Sequence, residues 1–345
     1  MKAPFPTGPR ASFTAGLQGY LEQTYRLEIT SAADLGGAYN LNVLLNTPKG
    51  RFVARVYRPW VTPSRLEALQ RLKLQLKAHH LPVVLPLPAT DGRTVASFDG
   101  RVLELEPFVS NSGAVESWER YEKAFALLGK LHGAFSRVPN AAVPAPKVEN
   151  YGSPETLVGW TKASRQRIRE TASPDVPQAL ALCDVSLSLL NEMQSRWPGT
   201  QLPQGLVHGD FGVGNLLWGQ NDIVAVGDFD FVARHERVSD VAYALFWAFE
   251  RLEPTRDYAS RSWHRVPDLL ASYDATNAFP LTFQERKALP LAMARVPLYW
   301  SAEAAFLADP VQAVLSCADT VAAAVWLLEH AHEFARKLAP SNGYC

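Results

Sequence analysis

The chain has 345 residues, 47% hydrophobic and 20% charged, with 34 Lys+Arg against 34 Asp+Glu and a formal net charge of zero. That length supports two packed lobes rather than one simple core, and the balanced charge argues against a nucleic-acid partner, which calls for a basic excess. The cysteines, Cys183, Cys317 and Cys345, form neither a CxxC pair nor a Cys/His metal spacing, so reduced thiols in a cytoplasmic protein are expected.

The opening Met1-Lys2-Ala3-Pro4-Phe5-Pro6 lacks the apolar core of a signal peptide. Helical spacing predicts a helix over 13–25. Residues 41–45 and 51–57 read as strands joined by the turn Asn46-Thr47-Pro48-Lys49-Gly50, and just before them lies a loop containing Gly36 and Gly37. A basic amphipathic helix is expected over 63–80, with Pro63 and Ser64 near its start. Short strands are expected at 83–88, 93–97 and 101–108. The rest is mainly helical, with helices at 118–135, 155–170 and 177–196, then 240–249, 263–273, 282–306 and 311–337. Strands at 216–218 and 223–226 interrupt them. The apolar stretch Val311 to Leu328 contains Asp319 and several alanines, which suits a buried amphipathic helix better than a membrane span. The predicted architecture is α+β and bilobal: a small antiparallel-sheet lobe over 1–108 and a larger helical lobe over 109–345, with the space between lobes a natural ligand site.

The chemistry concentrates in His208-Gly209-Asp210-Phe211-Gly212-Val213-Gly214-Asn215, followed by Asp228. Phosphoryl transfer asks a protein for positioning and for neutralisation of phosphate charge. Protein kinases supply a catalytic-loop Asp, an Asn five residues later on Mg²⁺, and a further Asp on Mg²⁺ after a hairpin. Asp210, Asn215 and Asp228 stand in that order, with Asp228 opening an Asp-Phe-Asp. Asp210 would orient the acceptor hydroxyl and take its proton late in the transfer. Asn215 would offer Mg²⁺ a neutral oxygen and Asp228 a charged one. His208 would brace the loop. A single Asp beside Gly is ordinarily a turn or capping residue. The ordered set, completed by Asp240-Val241-Ala242 at a helix start, is what favours function.

These segments resemble the aminoglycoside phosphotransferase and choline kinase superfamily, which shares a protein-kinase-like fold. The chain departs from that pattern at Gly227, where Ile or Val is usual. Residues 36–40 resemble the nucleotide loop and 127–132 the helix opening the second lobe. Residues 281–290 resemble a helix of type II homoserine kinases. The resemblance implies ATP and Mg²⁺ as cofactors and a small hydroxyl compound as acceptor: an antibiotic, amino alcohol, amino acid or sugar. It implies that Arg55 holds the α- and β-phosphates, a task suited to its fork. Gly36 and Gly37 would let backbone approach phosphate. Glu67, the sole acid between residues 64 and 80, is the expected helix partner of Arg55, with Gln70 as alternative. Adenine would sit beside the Glu106 backbone, and because Pro107 lacks an N–H, Val109 would donate.

On an extended backbone Asp230 would share a side with Asp228, fitting a second Mg²⁺, a substrate amine or a loop cap. Acceptor contacts are expected from Trp247, Glu250, Trp300 and Glu303, with core packing the competing reading of the aromatics. Resistance and metabolic roles both remain open, and a monomer or homodimer without a membrane partner is expected. A catalytically silent nucleotide-binding pseudokinase is the alternative, although Asp210, Asn215 and Asp228 are all present. A protein kinase ranks last, because no Ala-Pro-Glu segment is evident.

Overall fold

The computed structural model describes residues 10–37, 39–113, 117–139, 142–147 and 150–338. Helix α1 (Ala15–Tyr25) starts where Thr14 accepts a hydrogen bond from the Leu17 N–H at 3.2 Å. Strands β1 (Ser31–Asp34), β2 (Leu41–Thr47), β3 (Gly50–Val56), β4 (Ala96–Phe98) and β5 (Arg101–Pro107) form an antiparallel sheet in the order β1-β2-β3-β5-β4. Period-2 alternation turns Leu41, Val43 and Leu45 of β2 into a core with Leu17 and Leu21 of α1 and Leu103 and Leu105 of β5. The register sets Arg55 opposite Glu104 and Val53 opposite Glu106.

Helix α2 (Pro63–Ala78) is capped by Thr62, with Pro63 in its first turn. It buries Leu66, Leu69, Leu72 and Leu76, and also Arg65, Gln70 and Lys73. The strand expected at 83–88 does not form, and a single bridge joins Val83 to Val226. Pro82, Pro86 and Pro88 remove the N–H donors such a strand needs. The strand expected at 93–97 lies at 96–98 instead.

The helical part comprises α3 (Trp118–Phe135), α4 (Pro154–Arg169), α5 (Val176–Arg196), α6 (Val238–Leu252), α7 (Val266–Thr276), α8 (Phe283–Glu303), α9 (Pro310–Leu315), α10 (Ala318–Glu329) and α11 (Ala331–Leu338). Strand β6 (Gln204–Val207) pairs with β9 (Ala233–Glu236), and β7 (Leu216–Trp218) with β8 (Ile223–Val226). The single helix expected over 311–337 is three, broken at Ser316–Cys317 and at His330. At the first break the Cys317 N–H closes on Val314 O, a tight turn that ends the α-helical ladder. Gly129 lets α3 meet α7: a Cβ there would lie 2.3 Å from Tyr273 O. Cys183 and Cys317 are buried free thiols. Among the described residues no helix is long and apolar enough to cross a membrane.

The described residues fall into two compact units. The first draws on 1–114, 138–148 and 214–232, and the second on 115–137, 149–213 and 233–345. The β7–β8 hairpin belongs with the sheet because Val226 N–H donates to Pro82 O and Ser112 N–H to Trp218 O, both at 2.7 Å.

Candidate active site

In the first unit, alternation along β3 and β5 brings Arg55, Tyr57, Glu104 and Glu106 to a pocket of about 150 Å³. Leu35 of the glycine loop, Val109 and Asp228 also line it. Arg55 Nη1 donates to Asp228 Oδ1 at 3.1 Å. Behind them Glu104, fully buried, accepts from Tyr57 Oη at 2.5 Å, Gln70 Nε2 at 2.7 Å and Lys73 Nζ at 3.2 Å. Lys73 Nζ also donates to Glu106 at 2.6 Å. Burial works against both charges of this cluster, but mutual attraction wins, so Glu104 titrates below the usual carboxylate range and Lys73 above the usual amine value.

The glycine loop uses left-handed backbone, with φ of +86° at Gly36 and +111° at Gly37. Arg10 pins it by binding both Asp34 oxygens, Gly36 O at 3.1 Å and Asn40 O at 3.0 Å. Ala38 lies outside the described residues.

Asp228 follows β8 with φ +55°, a left-handed conformation that re-aims its carboxylate. Gly227 N–H donates to Asn215 O at 2.8 Å, so the residue before Asp228 is tied to Asn215. One neutral and one charged oxygen donor suit a hard cation whose remaining ligands are phosphates and water. Among the described residues no group of three or more His, Cys, Asp or Glu is placed to hold a metal ion.

In the second unit β6 delivers the chain to His208, and Asp240 in the first turn of α6 clamps the His208–Gly209 backbone. Its Oδ2 accepts from the His208 N–H at 2.6 Å and from His132 Nε2 at 3.0 Å. Its Oδ1 accepts from the Gly209 N–H at 2.9 Å and from Tyr151 Oη at 2.7 Å. Since a carboxylate only accepts, His132 donates to it from Nε2, and its Nδ1 lies 2.7 Å from Tyr273 Oη. Burial opposes ionisation of Asp240, but hydrogen bonds and nearby histidines keep its pKa below the ordinary value. Gly209 turns with φ +81°, and its carbonyl accepts from Asn150 Nδ2 at 3.0 Å. Asp210 comes next, and Tyr243 Oη donates to its Oδ1 at 2.8 Å. Burial and Asp210 push the Tyr243 phenol well above its usual pKa, so it stays a donor.

Several expected site residues stand elsewhere. Glu67 is exposed on α2 and is not Arg55's partner. The carboxylate facing Arg55 is Asp228, and the buried face of α2 carries Gln70 and Lys73 instead. Asp230 borders the pocket, but it is 4% exposed and engaged by Asn40 Nδ2 at 2.5 Å and Arg58 Nη2 at 3.3 Å. The same-side argument fails because 229–231 is a 3₁₀ turn, not a strand. Glu250 is taken by Arg261 at 2.7 Å. Trp247 packs edge-on between Tyr243 and Trp300, Trp300 is 38% exposed, and Glu303 is buried. Glu106 and Val109 both line the pocket. Phe108 N–H is spent on Arg51 O at 3.0 Å, which leaves Val109 as the next backbone donor after Pro107. Sequence reasoning missed Arg10, Lys73 and Tyr243.

An antiparallel sheet leading into helices, with an ionic pocket on the sheet and a braced Asp loop before α6, is the architecture of a kinase-like phosphotransferase. The solved structure of a microcompartment-associated aminopropanol kinase matches with a TM-score of 0.67 at 16% identity, covering 94% of this chain and 100% of that one. Amicoumacin kinase, solved with AMP-PNP, Ca²⁺ and Ami, matches at 0.65 and 14% identity over 95% of each chain. The chain belongs to the phosphotransferase enzyme family (APH), whose profile matches residues 31–276. A homoserine kinase of Rhizobium meliloti (strain 1021) is 28% identical over 262 residues, which is 74% of this chain and 72% of that protein. The chain is thus an ATP-dependent small-molecule kinase.

Proposed function

We propose that the enzyme moves the γ-phosphoryl group of ATP to the hydroxyl of a small amino acid, with homoserine the first candidate because its relatives carry that name. Asp210 accepts the hydroxyl proton as the acceptor oxygen bonds to phosphorus. The bond from phosphorus to the bridging oxygen breaks, and ADP leaves with that electron pair. Tyr243 holds Asp210 in the required rotamer, and Asp240 fixes the His208–Gly209 backbone that carries it. His208 braces the loop and is not the base. Asn215 and Asp228 hold Mg²⁺, which when bound neutralises charge on the phosphates. Arg55 holds the α- and β-phosphates beside the glycine loop, and adenine lies against Glu106 and the Val109 N–H. In this reading residues 1–108 supply most nucleotide contacts, while 109–345 add Val109, Asn215 and Asp228 to them and carry catalysis and acceptor binding. Use of ATP as donor fits a reaction in the cytoplasm.

The observation that carries the reading is Asp210's setting: a carboxylate held by Tyr243 on a loop clamped by Asp240. The experiment is a panel of alcohols (homoserine, amino alcohols, sugars and aminoglycosides) with ATP and Mg²⁺, with Asp210→Ala as control. Turnover of one acceptor, lost in Asp210→Ala while ATP still binds, is expected. Wild-type protein that neither binds ATP nor phosphorylates any acceptor would sink the proposal.

A further inference from the structure

Arg295 lies mid-way along α8 and is 3% exposed. Other arginines of its unit meet a carboxylate closely: Arg237 and Glu285 at 2.6 Å, Arg261 and Glu250 at 2.7 Å. Arg295 does not. Its carboxylate neighbour, Glu236, is 3.8 Å from Nη1 and is already engaged by His235 Nδ1. Nη2 donates to Ser239 Oγ at 2.6 Å, and the Trp197 ring sits 4.6 Å from the guanidinium carbon. Nη1 has no hydrogen-bond acceptor among the described residues. Burial accordingly pulls the Arg295 pKa down, whereas Arg237, with its close carboxylate, is raised. A buried guanidinium whose one counter-ion among the described residues is 3.8 Å away and shared with His235 has a donor left for a further anion.

What could arrive is limited by the cleft that Arg295 lines with Asn150, Ser239, Tyr243, Tyr299 and Trp300. Tyr243 is the residue that donates to Asp210. Ser239 and Tyr243 are four residues apart on α6, a rise of about 6 Å. In a γ-hydroxy amino acid, four bonds separate the carboxylate carbon from the hydroxyl oxygen, a span of roughly 5 Å at ~1.5 Å per bond. The residues of α6 that contact Arg295 and Asp210 thus stand about one helical turn apart, a separation comparable to the length of such a molecule.

We propose that Arg295 is the acceptor-selecting residue, binding the carboxylate of a hydroxy amino acid whose far hydroxyl is presented to Asp210. The inference rests on the phosphoryl-transfer reading above. The cleft is narrow, about 10 Å³, so admission requires a lining side chain to turn. Trp300, 38% exposed and packed edge-on against Trp247 and Tyr299, is the lining side chain whose turn to another rotamer would widen it. A planar fork with a free edge suits a carboxylate, and an acceptor lacking one leaves the guanidinium unpaired, which is how such a site rejects it.

The test compares L-homoserine with 3-aminopropanol, the same chain without its carboxylate, at saturating ATP and Mg²⁺. The wild-type enzyme should prefer homoserine. Arg295→Met should lower the ratio of the two kcat/KM values by about 100-fold, chiefly through the KM for homoserine, and Arg295→Lys should keep part of the preference. A proportional loss on both acceptors would assign Arg295 to packing and overturn the proposal, as would an unmoved ratio. Should Arg295→Met fail to fold by thermal melting, the Lys variant's ratio decides. Should neither acceptor turn over, calorimetric binding of L-homoserine decides. Binding that is lost in the variant supports the inference, and no binding to wild type ends it. ATP binding in the same samples judges the underlying function separately.

Discussion

Arg55 and Asp228 hold each other at 3.1 Å at the pocket edge, a cation suited to phosphate facing a carboxylate suited to metal. Nucleotide and Mg²⁺ would take both, exchanging one ion pair for two. Arg55→Ala should therefore raise the KM for ATP by about 10- to 100-fold, since a charge-assisted hydrogen bond contributes about 1.5–3 kcal/mol. Arg55→Lys should recover part of that, and Asp228→Ala should lower kcat by about 10²–10³. Steady-state kinetics at saturating acceptor measure this. An unchanged KM for ATP in Arg55→Ala removes Arg55 from the nucleotide site.

Lys73, not Glu67, should be the sensitive charge of α2. Lys73→Met leaves Glu104 buried beside Tyr57 and Gln70 without its cation, a loss of about 3–5 kcal/mol. Glu67→Ala on the exposed face should stay within about 0.5 kcal/mol. Urea unfolding midpoints report both values, and equal effects would show that the cluster does not hold the sheet to α2.

Tyr243→Phe removes the hydrogen bond to Asp210 and nothing larger than an oxygen. The loss of about 1–1.5 kcal/mol of positioning should lower kcat roughly 10-fold with the KM for ATP unmoved. A change confined to the KM for ATP would place Tyr243 on the nucleotide side instead.

Asp240 sets an acid limit. Its folded pKa lies below the ordinary value, so its stabilisation is complete above the unfolded pKa of about 4 and is lost as pH falls through the folded value. Thermal melts of wild type should drop below about pH 4. Asp240→Asn should melt lower at neutral pH yet lose less between pH 5 and 2. Parallel curves for the two proteins would exclude Asp240 as the titrating group.

Local features were legible in sequence. Helix 118–135 and strands 216–218 and 223–226 lie where pattern alone puts them, because strong periodicity and turn residues act within a few neighbours. Asp210, Asn215 and Asp228 stood out because their spacing is itself the signal. Partnerships were not legible. Lys73 occupies a helix whose basic residues suggest a solvent-facing stripe, and its burial follows from Glu104 and Glu106, thirty-odd residues away on β5. Arg295 sits among apolar residues of α8, and Ser239 and Trp197, which enclose it, are distant in sequence. Asp240 was visible as a motif, but that it clamps the loop depends on β6 lying beside α6's first turn, a tertiary fact. Pro82, Pro86 and Pro88 were visible and should have excluded a strand.

The hairpin that carries Asn215 and Asp228 is fastened to the sheet through Pro82 and Ser112. The residues proposed to manage phosphate and metal therefore share one compact unit with Arg55, while Tyr243, Arg295 and Trp300 belong to another. Inheritance can treat these as separate possessions. A lineage could exchange the side chains of α6 and α8, and with them the compound it marks with phosphate, without relearning how to hold the donor.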